Sequence, residues 1–222
     1  MSDRVEDALV RAEEAVAEGR GLKGTGFWRA VDAVRRDRAL AERHADRIAA
    51  IDRSAFENGV RLRVPAPIGL IALAFGLALG VAALFVTVRR DSGIALVIGF
   101  GAVLVCSHSL THWLVGMLLG MRFTHVFFGG PKPQRPGVKT DYSSYLLASP
   151  RRRALMHASG AVVTKLIPFL MIPVVRATES LGGAVWVFLA IGVGQIFTDA
   201  VLSTKTSDWK KVKRELRAAG SS

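Results

Sequence analysis

Four long apolar segments constrain this chain of 222 residues more than any other feature. Each exceeds the roughly 20 residues that a helix needs to cross a hydrocarbon core of about 30 Å. The segments are Ala66–Val88, Gly93–Met121, Ala154–Val175 and Leu181–Leu202. Within them only Lys165 and Asp199 carry a formal charge at pH 7. The sequence therefore predicts an all-α integral membrane protein with four transmembrane helices.

The positive charge of the chain lies mainly beside these segments. The net charge is +12, but residues 1–65 hold 13 Lys/Arg against 12 Asp/Glu. The connection 122–153 has seven basic residues and one acid, and the part after Leu202 has six and two. By the positive-inside rule this places both termini and the central connection in the cytoplasm of a cell-membrane protein. Topology and anionic lipid at the cytoplasmic face account for the charge, so nucleic acid is not expected as a partner.

Three regions follow from this organisation. Residues 1–62 predict a cytoplasmic helical hairpin, with helices over 3–19 and 27–62 and a glycine-rich break between them. Residues 63–205 form the four-span domain, with a short strand and loop insertion near Val126–Phe128 between spans two and three. Residues 206–222 are a basic cytoplasmic tail, with a short helix at the lipid headgroups. The N-terminal residues lack an apolar core, so no signal peptide is expected.

Two histidines in the second segment are the first candidate site residues. His108 and His112 lie four residues apart, so they project from one face of a helix, one turn apart. This is the spacing with which a single helix offers two imidazoles to a metal ion. Gly116 and Gly120 continue the row and would let a neighbouring helix approach closely. The structural alternative is that both histidines hydrogen bond to backbone carbonyls or to nearby hydroxyl groups.

Asp199 in the fourth segment is the predicted third ligand. Counted inward from the flanking charges at about 1.5 Å per residue, His112 lies about 15 Å deep and Asp199 about 9 Å deep. Gln195 is one turn away from Asp199 and could orient it. An ion pair between Asp199 and Lys165 is the alternative. Lys165 is about 18 Å from Arg153 by the same count, so that pair would need strong tilting or snorkelling.

The order of these features along the chain resembles that of the site-2 protease family of intramembrane zinc metalloproteases. The family's His-Glu-x-x-His helix is similar to His108–His112, its third helix opens with a small-residue motif like Ala158–Ala161, and its Asp helix resembles Gln195–Asp199. The resemblance covers about residues 93–205. It implies a zinc site of His108, His112 and Asp199, and a transmembrane protein or peptide as substrate or partner.

One departure from the family bears on catalysis. The family's general-base glutamate is Ser109 here, and a hydroxyl cannot serve as a general base near neutral pH. The sequence therefore favours a catalytically impaired homologue that binds membrane-spanning partners. Two alternatives stay open: an active intramembrane peptidase in which Asp141 or His125 replaces the base, and a metal-free membrane adaptor.

Overall fold

The structure is a computed structural model that describes residues 2–129, 135–201 and 207–220. In these residues the chain forms helices α1 to α9, strands β1 to β3 and one 3-10 turn. The helices are α1 (Ser2–Ala17), α2 (Phe27–Arg36), α3 (Arg38–Gly59), α4 (Ala66–Arg90), α5 (Gly93–Leu118), α6 (Tyr142–Leu147), α7 (Pro150–Arg176), α8 (Ala184–Val201) and α9 (Asp208–Ala219). The strands are β1 (Leu62–Pro65), β2 (Phe123–Gly129) and β3 (Arg135–Thr140), and the 3-10 turn is Leu181–Gly183.

Four helices are long and apolar enough to cross a membrane, as the four apolar segments predict. They are α4, α5, α7 and the stretch Leu181–Asp199 that includes most of α8. Large apolar side chains on these helices face outward, among them Ile94 at 77% exposure and Trp186 at 75%. Such a surface is stable in lipid and not in water. The chain is a multi-pass membrane protein. Leu202, where the fourth predicted segment ends, lies outside the described residues.

The N-terminal region is a bundle of three helices, which corrects the predicted hairpin. The helix expected over 27–62 is interrupted at Asp37, whose backbone is extended and whose side chain accepts a hydrogen bond from the Leu40 amide at the start of α3. An aspartate at this position caps a new helix better than it continues an old one. Leu9, Phe27 and Ile48, one from each helix, are completely buried in the shared core.

The insertion between spans two and three is a three-stranded antiparallel sheet in the order β1-β2-β3. The predicted strand at Val126–Phe128 lies inside β2, whereas β1 was not predicted, because its four residues directly precede the first span. Val126 of β2 packs on Gly69 of α4, where an added Cβ would lie 2.5 Å from Val126 Cγ2. The absence of a side chain at Gly69 therefore seats the sheet against the first span.

The regions outside the spans meet at one end of the four-helix bundle. Arg38 at the start of α3 donates to the Leu147 carbonyl, and Arg153 at the start of α7 donates to the Arg35 carbonyl. At the opposite end the Ser180 amide donates to Asp91, which joins the two short links between spans. The N-terminal helices, the central connection and α9 therefore lie on the same side of the bundle.

Candidate metal centre

The face of α5 predicted to carry the site presents two imidazoles to α7. The His108 and His112 rings lie edge to face, with centroids 4.6 Å apart. Gly160 of α7 makes this approach possible, because an added Cβ there would lie 2.6 Å from Cδ2 and 2.7 Å from Cε1 of His112. Gly160 belongs to the small-residue motif of the sequence, so the motif has a steric role here. Gly120, by contrast, follows the end of α5 with a φ of 87°, and an added Cβ there would have no described atom within 4 Å.

Hydrogen bonds to α7 determine which ring nitrogens carry hydrogen. His112 Nδ1 lies 2.7 Å from the Met156 carbonyl, which can only accept, so Nδ1 is the donor. His108 Nδ1 lies 2.8 Å from Thr164 Oγ1, and the Thr164 hydroxyl itself donates to the Gly160 carbonyl. His108 Nδ1 is therefore also a donor. In the neutral form of each ring the lone pair is left on Nε2.

The carboxylate that faces these nitrogens belongs to Asp208, in the first turn of α9. Asp208 Oδ2 lies 3.2 Å from His112 Nε2 and 3.6 Å from His108 Nε2. Its other oxygen, Oδ1, accepts a hydrogen bond of 2.9 Å from Lys211. Burial alone would raise the pKa of the Asp208 carboxyl, but its contact with the His112 ring and the charge of Lys211 outweigh burial and hold that pKa well below its usual range.

His108, His112 and Asp208 are thus a group whose ligand atoms all lie within 4.8 Å of one another. With neutral imidazoles, two nitrogen lone pairs and one carboxylate oxygen converge, and they repel unless a proton or a cation lies between them. A tetrahedral zinc ion with bonds of about 2.0–2.2 Å sets its ligand atoms about 3.3–3.6 Å apart. The measured 3.2 and 3.6 Å separations fit that geometry. The residues present therefore suit a divalent cation of the zinc type.

The structure does not bring the predicted third ligand, Asp199, to the histidines. The Asp199 carboxylate instead forms an ion pair with Lys165 of α7, which was the alternative in the sequence. The depth count that argued against this pair started at Arg153. Arg153 is 1% exposed and is surrounded by protein groups, so it does not mark a membrane surface.

Other predicted participants also lie elsewhere. Ser109 is buried in α5, at 2% exposure, and supplies only a hydroxyl at the position of the family's base. Asp141 caps α6 and pairs with Arg122, and the His125 ring packs against Phe56. Neither replacement considered for the base belongs to the group formed by His108, His112 and Asp208. The buried Gln195 Oε1 has no hydrogen-bond partner among the described residues and does not orient the site.

Sequence reasoning missed two polar residues of this centre, Asp208 and His157. His157 Nδ1 lies 4.0 Å from Asp208 Oδ1, so its ring stands directly behind the carboxylate. The sequence contains a pattern that could have indicated each of these residues. Ser207 and Asp208 are a typical start of a helix, and His157 is four residues after Arg153 and three before Gly160, on the same face of α7.

No family model matches the chain, and no curated protein or solved structure matches it either. The chemical assignment therefore depends on the geometry of the three ligand residues. Three protein ligands of mixed nitrogen and oxygen type, with one tetrahedral position left over, are typical of zinc sites that act on a substrate. His108, with a side chain 35% exposed, is the member of the group through which the site is accessible.

Proposed function

We propose that this protein is a site-2-protease-like membrane protein that holds a zinc ion through His108, His112 and Asp208. In this proposal it binds membrane-spanning protein partners and is impaired in cleaving them. Asp208 takes the part that the sequence assigned to Asp199. When bound, zinc would supply Lewis-acid chemistry and lower the pKa of a water molecule at the remaining position.

One observation carries the cation site. Both imidazoles donate from Nδ1 to groups on α7, and both unprotonated Nε2 atoms face the same carboxylate oxygen. Histidine ligands of metals usually have this arrangement, in which the outer nitrogen is bound to a carbonyl or hydroxyl oxygen. A pair of histidines that merely tied helices together would not need a carboxylate at their free nitrogens.

Impaired catalysis is supported by the absence of a carboxylate at the position of the family's general base. Ser109 cannot take up a proton near neutral pH. The carboxylates around the site are already engaged: Asp208 with the histidines and Lys211, and Asp199 with Lys165. Loss of a general base lowers the rate of hydrolysis by about 10²–10⁴-fold. Binding of a partner requires no such group.

The placement in the membrane belongs to the same proposal. The connection between spans two and three and the segment after the fourth span carry most of the excess positive charge, so the positive-inside rule places them in the cytoplasm. Because the N-terminal helices lie at that end of the bundle, both termini are cytoplasmic. The site then opens near the cytoplasmic face of the cell membrane, where anionic lipid contacts the basic residues.

Metal analysis of the full-length protein in detergent tests the cation site. We expect about one zinc ion per chain in the parent, and loss of zinc in His112→Ala and in Asp208→Asn. Asp199→Asn is the matched control, since it removes the same charge from a neighbouring carboxylate that lies outside the group. We expect it to retain zinc.

Three results would contradict the proposal. A parent protein that binds neither zinc nor cobalt has no cation site, and the metal-free adaptor would then be the better description. Cleavage of a model transmembrane peptide by the parent, abolished in His112→Ala, would instead show an active peptidase with a substitute base. Zinc lost in Asp199→Asn but retained in Asp208→Asn would show that the third ligand is the one predicted from sequence.

A further inference from the structure

A buried carboxylate in α9 lies between the N-terminal helices and the spans. Glu215 is completely buried and pairs with two arginines that are themselves buried. Its Oε2 accepts a hydrogen bond of 2.7 Å from Arg153 of α7, and its Oε1 lies 3.3 Å from Arg35 of α2. Three separate regions of the chain therefore meet at one carboxylate.

A chain of polar contacts leads from Glu215 to the candidate metal centre. The Tyr145 hydroxyl donates to Glu215 Oε1 at 3.1 Å, so the same hydroxyl must accept from His157 Nε2, which lies 3.0 Å away. The opposite nitrogen of that ring, Nδ1, is the atom 4.0 Å from Asp208 Oδ1. Glu215 and Asp208 thus flank the same histidine and tyrosine.

The helix α9 connects these two carboxylates rigidly. Asp208 and Glu215 are seven residues apart, which is close to two helical turns, so they lie on one face about 10.5 Å apart. This face packs against α7 through Val212, Glu215 and Ala218. The remaining surface of α9 is largely basic and exposed. The carboxylate of Glu215 is therefore the charged anchor of a helix whose first turn carries the third ligand.

Removal of the Glu215 carboxylate would displace α9 more than α7. The Arg153 guanidinium also donates to the carbonyls of Leu146, Ala148 and Arg35, so it remains in place without Glu215. Without the carboxylate, Arg35 and Arg153 would face each other as buried like charges. The side of the contact that can move away is α9, and Asp208 would move with it.

We propose that Glu215 is a positioning residue for the cation site. By binding Arg153 and Arg35 it holds α9 where Asp208 meets the two histidines, so the N-terminal helices regulate the affinity of the site for its cation. This inference rests on the proposed function, because it concerns the same three ligands. It adds that the affinity depends on a contact two helical turns away, in which α2 takes part.

Cobalt(II) titration of the full-length protein in detergent tests this role, because the visible spectrum of cobalt reports its ligands. We expect Glu215→Gln and Arg35→Gln to weaken cobalt binding by at least tenfold, the usual effect of losing a group that orients a ligand. The cobalt spectrum of Glu215→Gln should match that of Asp208→Asn, since His108 and His112 remain on α5. Glu215→Asp should recover part of the affinity. Arg47→Gln, which breaks an ion pair inside the N-terminal bundle, should bind as the parent does.

Limited trypsin digestion gives a second readout that needs no metal. The basic residues of α9 are potential cleavage sites, and an undocked α9 should be cut faster in Glu215→Gln than in the parent or in Arg47→Gln. Parent-like cobalt affinity and spectrum in Glu215→Gln would overturn the inference and leave the cation site intact. Unchanged digestion of α9 in that variant would also overturn it. A parent that binds no cobalt would instead remove the proposed function, and the inference with it.

Discussion

Replacement of Gly160 by alanine should disable the candidate metal centre by a steric route alone. The added methyl group would lie 2.6 Å from Cδ2 and 2.7 Å from Cε1 of His112, and closer still to Nε2. Carbon atoms in contact are normally about 3.5–4.0 Å apart, so the overlap is about 1 Å. The ring cannot simply rotate away, because its Nδ1 donates to the Met156 carbonyl at 2.7 Å. Either α5 and α7 separate or the ring leaves its position.

Both the change in folding stability and the change in zinc affinity can be estimated. Overpacking of this kind costs about 1–3 kcal/mol of folding stability, against a gain of about 0.5–1 kcal/mol for alanine over glycine in a helix. Displacement of His112 from the Met156 carbonyl should weaken zinc binding by about 10–100-fold. We therefore expect Gly160→Ala to lose zinc at concentrations that saturate the parent, while it unfolds at a lower temperature.

Zinc titration and thermal unfolding in detergent measure these two effects separately. Gly101→Ala is the matched control, because Gly101 lies in α5 and an added Cβ there has no atom within 4 Å. It should bind zinc as the parent does, with equal or slightly higher thermal stability. The reasoning is refuted if Gly160→Ala binds zinc with the affinity of the parent, since the His112 ring would then not lie against α7.

Three further substitutions test other parts of the structure. Ser109→Glu should create cleavage of a model transmembrane peptide, since a general base raises the rate of hydrolysis by about 10²–10⁴-fold. Ser109→Gln is the control and should not cleave. A Ser109→Glu protein that retains zinc without cleaving would show that the substrate path has diverged. Lys165→Met should destabilise the protein by about 2.5 kcal/mol in thermal unfolding, because Asp199 is left unpaired in an apolar helix. The double variant Lys165→Met with Asp199→Leu should recover most of the lost stability. Equal melting temperatures of the parent and Lys165→Met would argue against the ion pair. A hydrogen bond from Arg47 lowers the pKa of Glu13, so this pair stabilises the fold above about pH 4.5 and the effect is lost as the pH falls through the lower folded pKa. Because the pair is partly exposed, Glu13→Gln should reduce the acid-induced loss of unfolding free energy by less than about 1 kcal/mol, and an identical pH profile of the two proteins would contradict this.

Local sequence patterns predicted the parts of this protein that depend on one segment at a time. The four apolar segments coincide with α4, α5, α7 and α8, because about 20 apolar residues in a row have few other stable states. The shared face of His108 and His112 likewise follows from helical periodicity alone. The split at Asp37 was missed because the apolar spacing on either side continues through it, although aspartate is a typical N-cap.

Local sequence patterns did not identify the carboxylate that lies beside His108 and His112. Asp199 and Asp208 are nine residues apart, and the sequence analysis placed only Asp199 within a span and left Asp208 in the tail. Contacts between distant segments separate the two aspartates: Asp199 pairs with Lys165, whereas Asp208 lies in α9, whose Glu215 pairs with Arg153 of α7.

The sequence by itself thus determined the four apolar helices and the shared face of His108 and His112. These follow from hydrophobicity and helical period, which act along a single stretch of chain. The tertiary structure alone decided which aspartate meets the histidines and why Gly160 must lack a side chain. Those features arise where α5, α7 and α9 meet, and a contact between residues 44 or 96 positions apart has no local signature.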